Sequence, residues 1–283
     1  MTTTGPAPAP TAPEPHRSPV GRALLVTGAA VAVLGVLWGA VFLVDRAVAS
    51  TTTQRESYAA VSTVELVADG DVTVKASEGG EVAVERIARQ GLTSPTYRAD
   101  EGADRLVVRH TCEDWRWLPS RCAGDLAVTL PADTALVVRT SNGDVIASGV
   151  TGGAELRTSN GDLEVAGAGG GLDVGSSNGD ITVDRAVDDV VAATSNGRIE
   201  VAGVEGSLDA DTSNGRIHVS EVTGDVRAES SNGDVTVVGD GEPVRLTINT
   251  SNGQQTTEGP TDPDAERTVV VRSSNGDVSY LVR

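Results

Sequence analysis

The sequence predicts an all-β fold, a parallel β-solenoid of 18-residue coils with two strands per coil, preceded by one N-terminal transmembrane helix. Three observations predict it. Ser-Asn-Gly occurs eight times, with its asparagines at Asn142, Asn160, Asn178, Asn196, Asn214 and Asn232 spaced by 18 residues, then Asn252 and Asn275 after intervals of 20 and 23. Short runs of alternating apolar and polar residues fill each interval. An uncharged stretch, Ala23 to Val44, lies upstream of every repeat. A strict period of this length marks a repeat architecture, in which each unit buries its apolar face by stacking on the next.

Each unit is numbered from its Ser. Position 5 is Val145, Leu163, Ile181, Ile199, Ile217 and Val235; position 7 is Ala147, Val165, Val183, Val201, Val219 and Val237. Positions 14 and 16 repeat the pattern, as in Leu172/Val174 and Leu208/Ala210. Two runs of period-2 alternation give two half-buried strands per unit. Recurrent Gly and β-branched residues disfavour helix. Position 10 is apolar throughout (Val150, Ala168, Ala186, Val204, Val222) and is expected to plug a corner of the core.

Two topologies satisfy this pattern. In one, each unit is a coil and equivalent residues stack about 4.8 Å apart. In the other, Asn-Gly makes tight hairpins in an antiparallel meander. The coil is preferred, because a meander has no need to keep six identical turns in register. Stacked Asn side chains can then hydrogen-bond from coil to coil, and Asn and Gly suit a left-handed corner. Only seven aromatic residues occur in the chain, which fits a thin core between two sheets.

The remaining segments follow in order. Residues 1–21, rich in Pro, Thr and Ala, are expected to be a disordered cytoplasmic tail. Residues 22–46 are expected to be a signal-anchor helix, because residues 23–44 are long enough to span a bilayer. Arg17 and Arg22 precede the span, while Asp45 and Arg46 cancel after it, so the N-terminus is placed in the cytoplasm and the C-terminal domain outside the cell membrane. Cleavage near Ala49 is the rival reading, since Ala47-Val48-Ala49 has the small-x-small pattern. Residues 47–58 read as a linker. Residues 59–138 read as an irregular β region and cap containing a disulfide loop, and residues 139–283 as the regular repeats. Val278 and Tyr280 are expected in a last, incomplete coil, with Tyr280 as its lid. Residues 258–267 read as a surface loop.

The segment Leu130-Pro-Ala-Asp-Thr-Ala-Leu-Val-Val-Arg-Thr-Ser-Asn-Gly-Asp-Val145, followed by iterated Ser-Asn-Gly-Asp turns, resembles the bacterial putative-adhesin family, a domain of unknown function. The resemblance covers roughly residues 60–283. It implies an extracytoplasmic, non-enzymatic β-solenoid behind a membrane anchor. Arg198 and Arg216, standing where the family's turns carry Asp, are departures from it.

The composition excludes some functions. Leaving out Arg17, Arg22, Arg46, Glu14 and Asp45, the chain has 19 basic against 38 acidic side chains, so no nucleic-acid partner is expected. No nucleophile–base–orienter set, phosphate loop or metal-ligand spacing is present, so no enzyme activity, catalytic residue or cofactor is expected. Lys75 is the sole lysine; His110 and His218 are the histidines beyond the anchor. Asp144, Asp162 and Asp180 at position 4 form the one metal candidate, a stacked column that a divalent cation could bridge. The competing reading is that each Asp caps its turn through backbone N–H groups. Charge pairing of Arg198 and Arg216 within the column could set coil register. Cys112 and Cys122, an even pair in an exported chain, are expected to form a disulfide. Trp115 and Trp117 lie between them as possible contact residues, or as packing over the solenoid end. An ice-binding face would need outward Thr rows, whereas Thr158, Thr194 and Thr212 alternate with Ser176 and Ser230 beside the turn.

The expected role is a binding or structural module of the cell envelope, engaging a cell-wall polymer, a glycan or an envelope protein. The alternative is an envelope-stress or regulatory partner of another membrane protein. A polysaccharide-cleaving enzyme is a remote third reading.

Overall fold

A computed structural model describes residues 19–112 and 122–282. Helix α1 (Pro19–Val48) contains a 25-residue span, Leu24–Val48, with an 18-residue window of mean hydropathy 2.3, long enough to cross a membrane. None of its most apolar 18-residue window is buried against the rest of the chain. One residue later strand Ser50–Ala59 begins, and it pairs antiparallel with Glu81–Gln90 over ten residues. The linker expected at residues 47–58 is therefore mostly strand. Its Thr-rich start, Ser50-Thr-Thr-Thr53, suits extended backbone. The helix end also touches the domain: Asp45 is buried, and its Oδ1 accepts from the Leu92 amide at 2.8 Å. A side chain at Gly91 would collide with that carboxylate.

The repeats fold as the parallel coil. Leu163, Ile181, Ile199 and Ile217 pair in register along one sheet, and Leu172, Val190, Leu208 and Val226 along the other. The sheets hold twelve and eleven strands. Setting aside antiparallel strands Ser50–Ala59, Glu81–Gln90 and Thr96–Glu101, each has ten parallel strands, which make ten stacked coils among the described residues. Every side chain at positions 5, 7, 14 and 16 of the regular units is buried, save half-buried Ala154. Val150, Ala168, Ala186, Val204 and Val222 are buried at the corner as well.

The glycine of each Ser-Asn-Gly turn serves close stacking. Gly161, Gly179, Gly197, Gly215 and Gly233 do not have positive φ, and a Cβ on any of them would fall far inside contact distance of the carbonyl oxygen of the glycine one coil before. The left-handed backbone expected at this corner lies instead at position 9: Gly149 (φ 73°), Gly167 (69°), Arg185 (61°), Gly203 (72°) and Glu221 (57°). That position closes the second corner, just before the buried residue at position 10.

Coil order departs from chain order at both ends. After the 226–239 coil the chain lays down the outermost coil, 245–257, then returns and inserts 268–282 between the two. The coil with Val278 and Tyr280 is thus the penultimate one, which corrects the expected lid. The reason is visible in the side chains. Gln255 and Thr257 stand in register with Val278 and Tyr280, so the 245–257 coil is polar where an inner coil must be apolar. The N-terminal end mirrors this: the 63–77 coil is flanked by 135–148 inside and by strands Arg105–Thr111 and Ala123–Pro131 outside.

Among the described residues Tyr280 is the largest fully buried side chain, pressed between Gly239 and Gly259. Its Oη is buried without a hydrogen-bond partner among the described residues. Tyr280→Phe removes that group at nearly constant shape, so stability should hold or rise by about 1 kcal/mol. A fall in the urea midpoint would show that Oη is bonded.

Candidate functional site

The repeat lays its polar groups in straight columns. Along the Ser-Asn-Gly corner, Asn160 Nδ2 donates to Asn142 Oδ1 at 3.1 Å, and Asn178, Asn196, Asn214 and Asn232 each donate to the preceding Asn at 2.9 Å. Asn275 continues onto Asn232, and Asn252 onto Asn275, both at 2.9 Å. Each Nδ2 also reaches a main-chain carbonyl, as Asn160 reaches Ser141 at 3.2 Å.

Beside this ladder runs the Asp column. Asp144 Oδ1 accepts from the Asp162 amide at 2.9 Å, Asp162 from Asp180 at 2.8 Å, and Asp180 from Arg198 at 2.7 Å. Asp125 and Asp71 extend the relay toward the N-terminal end. Each carboxylate thus caps the next coil through a backbone N–H, which leaves the negative charges spread along the corner. Among the described residues, no group of three His, Cys, Asp or Glu side chains could hold a metal ion. Arg198 and Arg216 approach Asp180 and Asp234 at 3.9 and 3.8 Å, with all four side chains about half exposed, a geometry worth at most ~1 kcal/mol.

A third column was not anticipated. The residue before each Ser-Asn-Gly is Thr or Ser, and its hydroxyl donates inward to the turn glycine of a neighbouring coil. Thr158 reaches Gly143 O at 3.0 Å, Ser176 Gly161 at 3.1 Å, Thr194 Gly179 at 3.1 Å, and Thr212 Gly197 at 3.2 Å. These hydroxyls satisfy a carbonyl that the closely stacked turn would otherwise bury unpaired. The signal in the sequence was the restriction of that position to Thr and Ser in all eight units, from Thr140 to Ser273.

Outside the corners, the sheets present flat rows. Ile146, Glu164, Thr182, Glu200, His218 and Thr236 stand in register on one outer face, and Glu155, Asp173, Val191, Asp209 and Arg227 on the other. Lys75 lies on the first face, in register with Thr129 and Ser148.

At the N-terminal end the antiparallel strands form a polar cap. Tyr58 donates to Glu56 at 2.5 Å and lies 2.7 Å from the Tyr97 hydroxyl; the Arg86 guanidinium sits 4.2 Å from the Tyr97 ring centre. Burial, together with those bonds, raises the Tyr58 phenol well above its ordinary range. Arg89 binds buried Asp125 through Nε at 2.7 Å, tying the cap to the Asp relay. Cys112 and Cys122 are joined in a disulfide, with Cα atoms 6.0 Å apart. Trp115 and Trp117, within the bridged loop, lie outside the described residues.

His110 is 1% exposed; its Nδ1 is 3.1 Å from the Asp125 carbonyl and its ring meets Tyr97 edge-on. Burial lowers its pKa below 6.5, with Arg86 pushing the same way and Asp125 and Asp69 opposing. The unfolded chain therefore takes up a proton near pH 6.5 that the fold refuses, and stability falls as pH drops through and below that value. Unfolding midpoints from pH 7.5 to 5 should decline more steeply for wild type than for His110→Gln; equal slopes would remove His110 as the cause.

The structure defines a class: a ten-coil parallel β-solenoid with an antiparallel cap, following an apolar helix. The chain belongs to the Toastrack family; the Toastrack DUF4097 model matches residues 61–282. Solved structures similar to it include a putative cell adhesion protein from Clostridium sporogenes ATCC 15579, 11% identical, with a TM-score of 0.28, covering 82% of this chain and 100% of that one. Putative adhesins from Bacteroides fragilis NCTC 9343 (14% identical, TM-score 0.32) and Parabacteroides distasonis ATCC 8503 (12%, 0.33) each cover 82% of this chain and 97% of their own. No curated protein matches the chain.

Proposed function

We propose that the protein is a non-enzymatic binding module of the cell envelope, held in the cell membrane by residues 23–44 with the solenoid on the extracytoplasmic side. The observation that carries this reading is the pair of outer faces on which side chains stand in register from coil to coil. Side chains there stand about 4.8 Å apart from coil to coil, so a ligand with repeating polar units can meet a polar group at most coils. The rows are rich in carboxylates and hydroxyls, which accept hydrogen bonds from sugar hydroxyls. The cystine and the acidic, soluble surface suit an oxidising exterior.

The test is saturable binding of the full chain, reconstituted in nanodiscs, to isolated cell-wall polymers and a glycan array, with and without calcium. Binding to a defined polymer that weakens when Glu164 and Glu200 are changed together to Ala supports the reading. No binding under either condition would overturn it and direct attention to a protein partner.

A further inference from the structure

All eight turns contain Asn followed by Gly, the dipeptide in which an unhindered backbone nitrogen most readily attacks the neighbouring side-chain amide. The fold treats the eight copies unequally. From Asn160 through Asn232, and again at Asn275, the side chain is pinned at both ends: Nδ2 donates to one neighbouring Asn, and Oδ1 accepts from the other. The glycines that follow are buried or half-buried. Asn142 is the rung at the other end: its Oδ1 is held by Asn160, Gly143 is buried, and the 63–77 coil lies over its turn, where Thr140 binds Gly70 O at 2.8 Å.

Asn252 differs on two independent counts. It is the outermost rung, so its Nδ2 is held by Asn275 while no further Asn reaches its Oδ1. Gly253, whose nitrogen would attack, is exposed, whereas Gly143, Gly161, Gly179 and Gly197 are buried.

We propose that Asn252 is a site of spontaneous deamidation, and that the ladder shields the six asparagines held at both ends while the overlying 63–77 coil shields Asn142. Hydroxide removes the Gly253 N–H proton, and the nitrogen bonds to Asn252 Cγ. The Cγ–Nδ2 bond breaks, and the amide nitrogen takes one proton from water, regenerating hydroxide, and leaves as ammonia. Water then opens the succinimide at either carbonyl, giving aspartate or isoaspartate. Aspartate would set a carboxylate against Asn275 Oδ1 in place of a donor. Isoaspartate would lengthen the backbone at the end of strand Arg245–Asn252, loosening the outermost coil and uncovering strand Thr268–Asn275.

The experiment is peptide mapping of the full chain in detergent micelles after incubation in mildly alkaline buffer, with isoaspartate detected by enzymatic methylation. An Asn held at both ends must release one more side-chain bond than Asn252 before it reacts, which corresponds to roughly a tenfold difference in rate. Asn252 is expected to react fastest in the folded chain, and all eight at similar rates in urea. Asn252→Ala removes the outer rung without touching the inner coils, and should transfer the fast reaction to Asn275. Equal rates at all eight sites in the folded chain, or an Asn275 unaffected by Asn252→Ala, would overturn the proposal.

Discussion

Gly197→Ala is expected to lower stability by about 4 kcal/mol or more, among the largest effects of any single methyl in this chain. The added carbon would overlap the Gly179 carbonyl oxygen and carbon and press on Thr194 Oγ1 at 3.0 Å. The Gly179 carbonyl belongs to the adjoining coil, so relief requires the two coils to separate. Separation would break the Thr194–Gly179 bond and the Asn196–Asn178 rung together. Gly171→Ala is the control in the same chain, because its new methyl meets nothing within 4 Å and its φ is not positive. It should be neutral, or stabilise by up to about 1 kcal/mol through the unfolded state. Urea unfolding followed by far-ultraviolet circular dichroism separates the two. A Gly197→Ala midpoint equal to that of Gly171→Ala would show that the turns do not stack as closely as described.

The second large effect concerns the core. Ile199 is fully buried and paired with Ile181 and Ile217, so Ile199→Ala should cost about 2–5 kcal/mol. Leu246 occupies the outermost coil and is only half-buried, pairing with Val269 on one side. Leu246→Ala should cost no more than about 2 kcal/mol. In a stack where each coil touches only its neighbours, the cost of a truncation depends on having two of them. Equal costs at the two sites would contradict the placement of 245–257 at the end.

Which features were legible in the sequence follows from the same nearest-neighbour physics. The inner coils repeat one environment, so Ile181, Ile199 and Ile217 announce a single buried column and the period fixes the register. The ends do not repeat. The insertion of 268–282 beneath 245–257 was marked by polar Gln255 and Thr257 at positions 5 and 7, but those residues also fit an ordinary weak coil. Only the pairing of Val235 with Val278 decides the order. The Asn-Gly corner was misread in its cause. Local preference suggests left-handed backbone there, whereas tertiary stacking supplies the demand for glycine, and the left-handed residue sits at position 9, where Arg185 and Glu221 gave no hint of it. The cap cluster of Tyr58, Tyr97, Arg86 and His110 draws on four strands, scattered over residues 50–111. No local pattern could have gathered them.

The measurement that tests the fold most directly is the distance between spin labels on cysteines introduced at Glu164 and Thr236. Both residues face outward in one sheet, joined in register through Thr182, Glu200 and His218. Four coil steps place their backbones about 19 Å apart. An antiparallel meander would place eight strand spacings between them, about 38 Å. A narrow distribution near the shorter distance is the predicted result; one near the longer distance would contradict the solenoid.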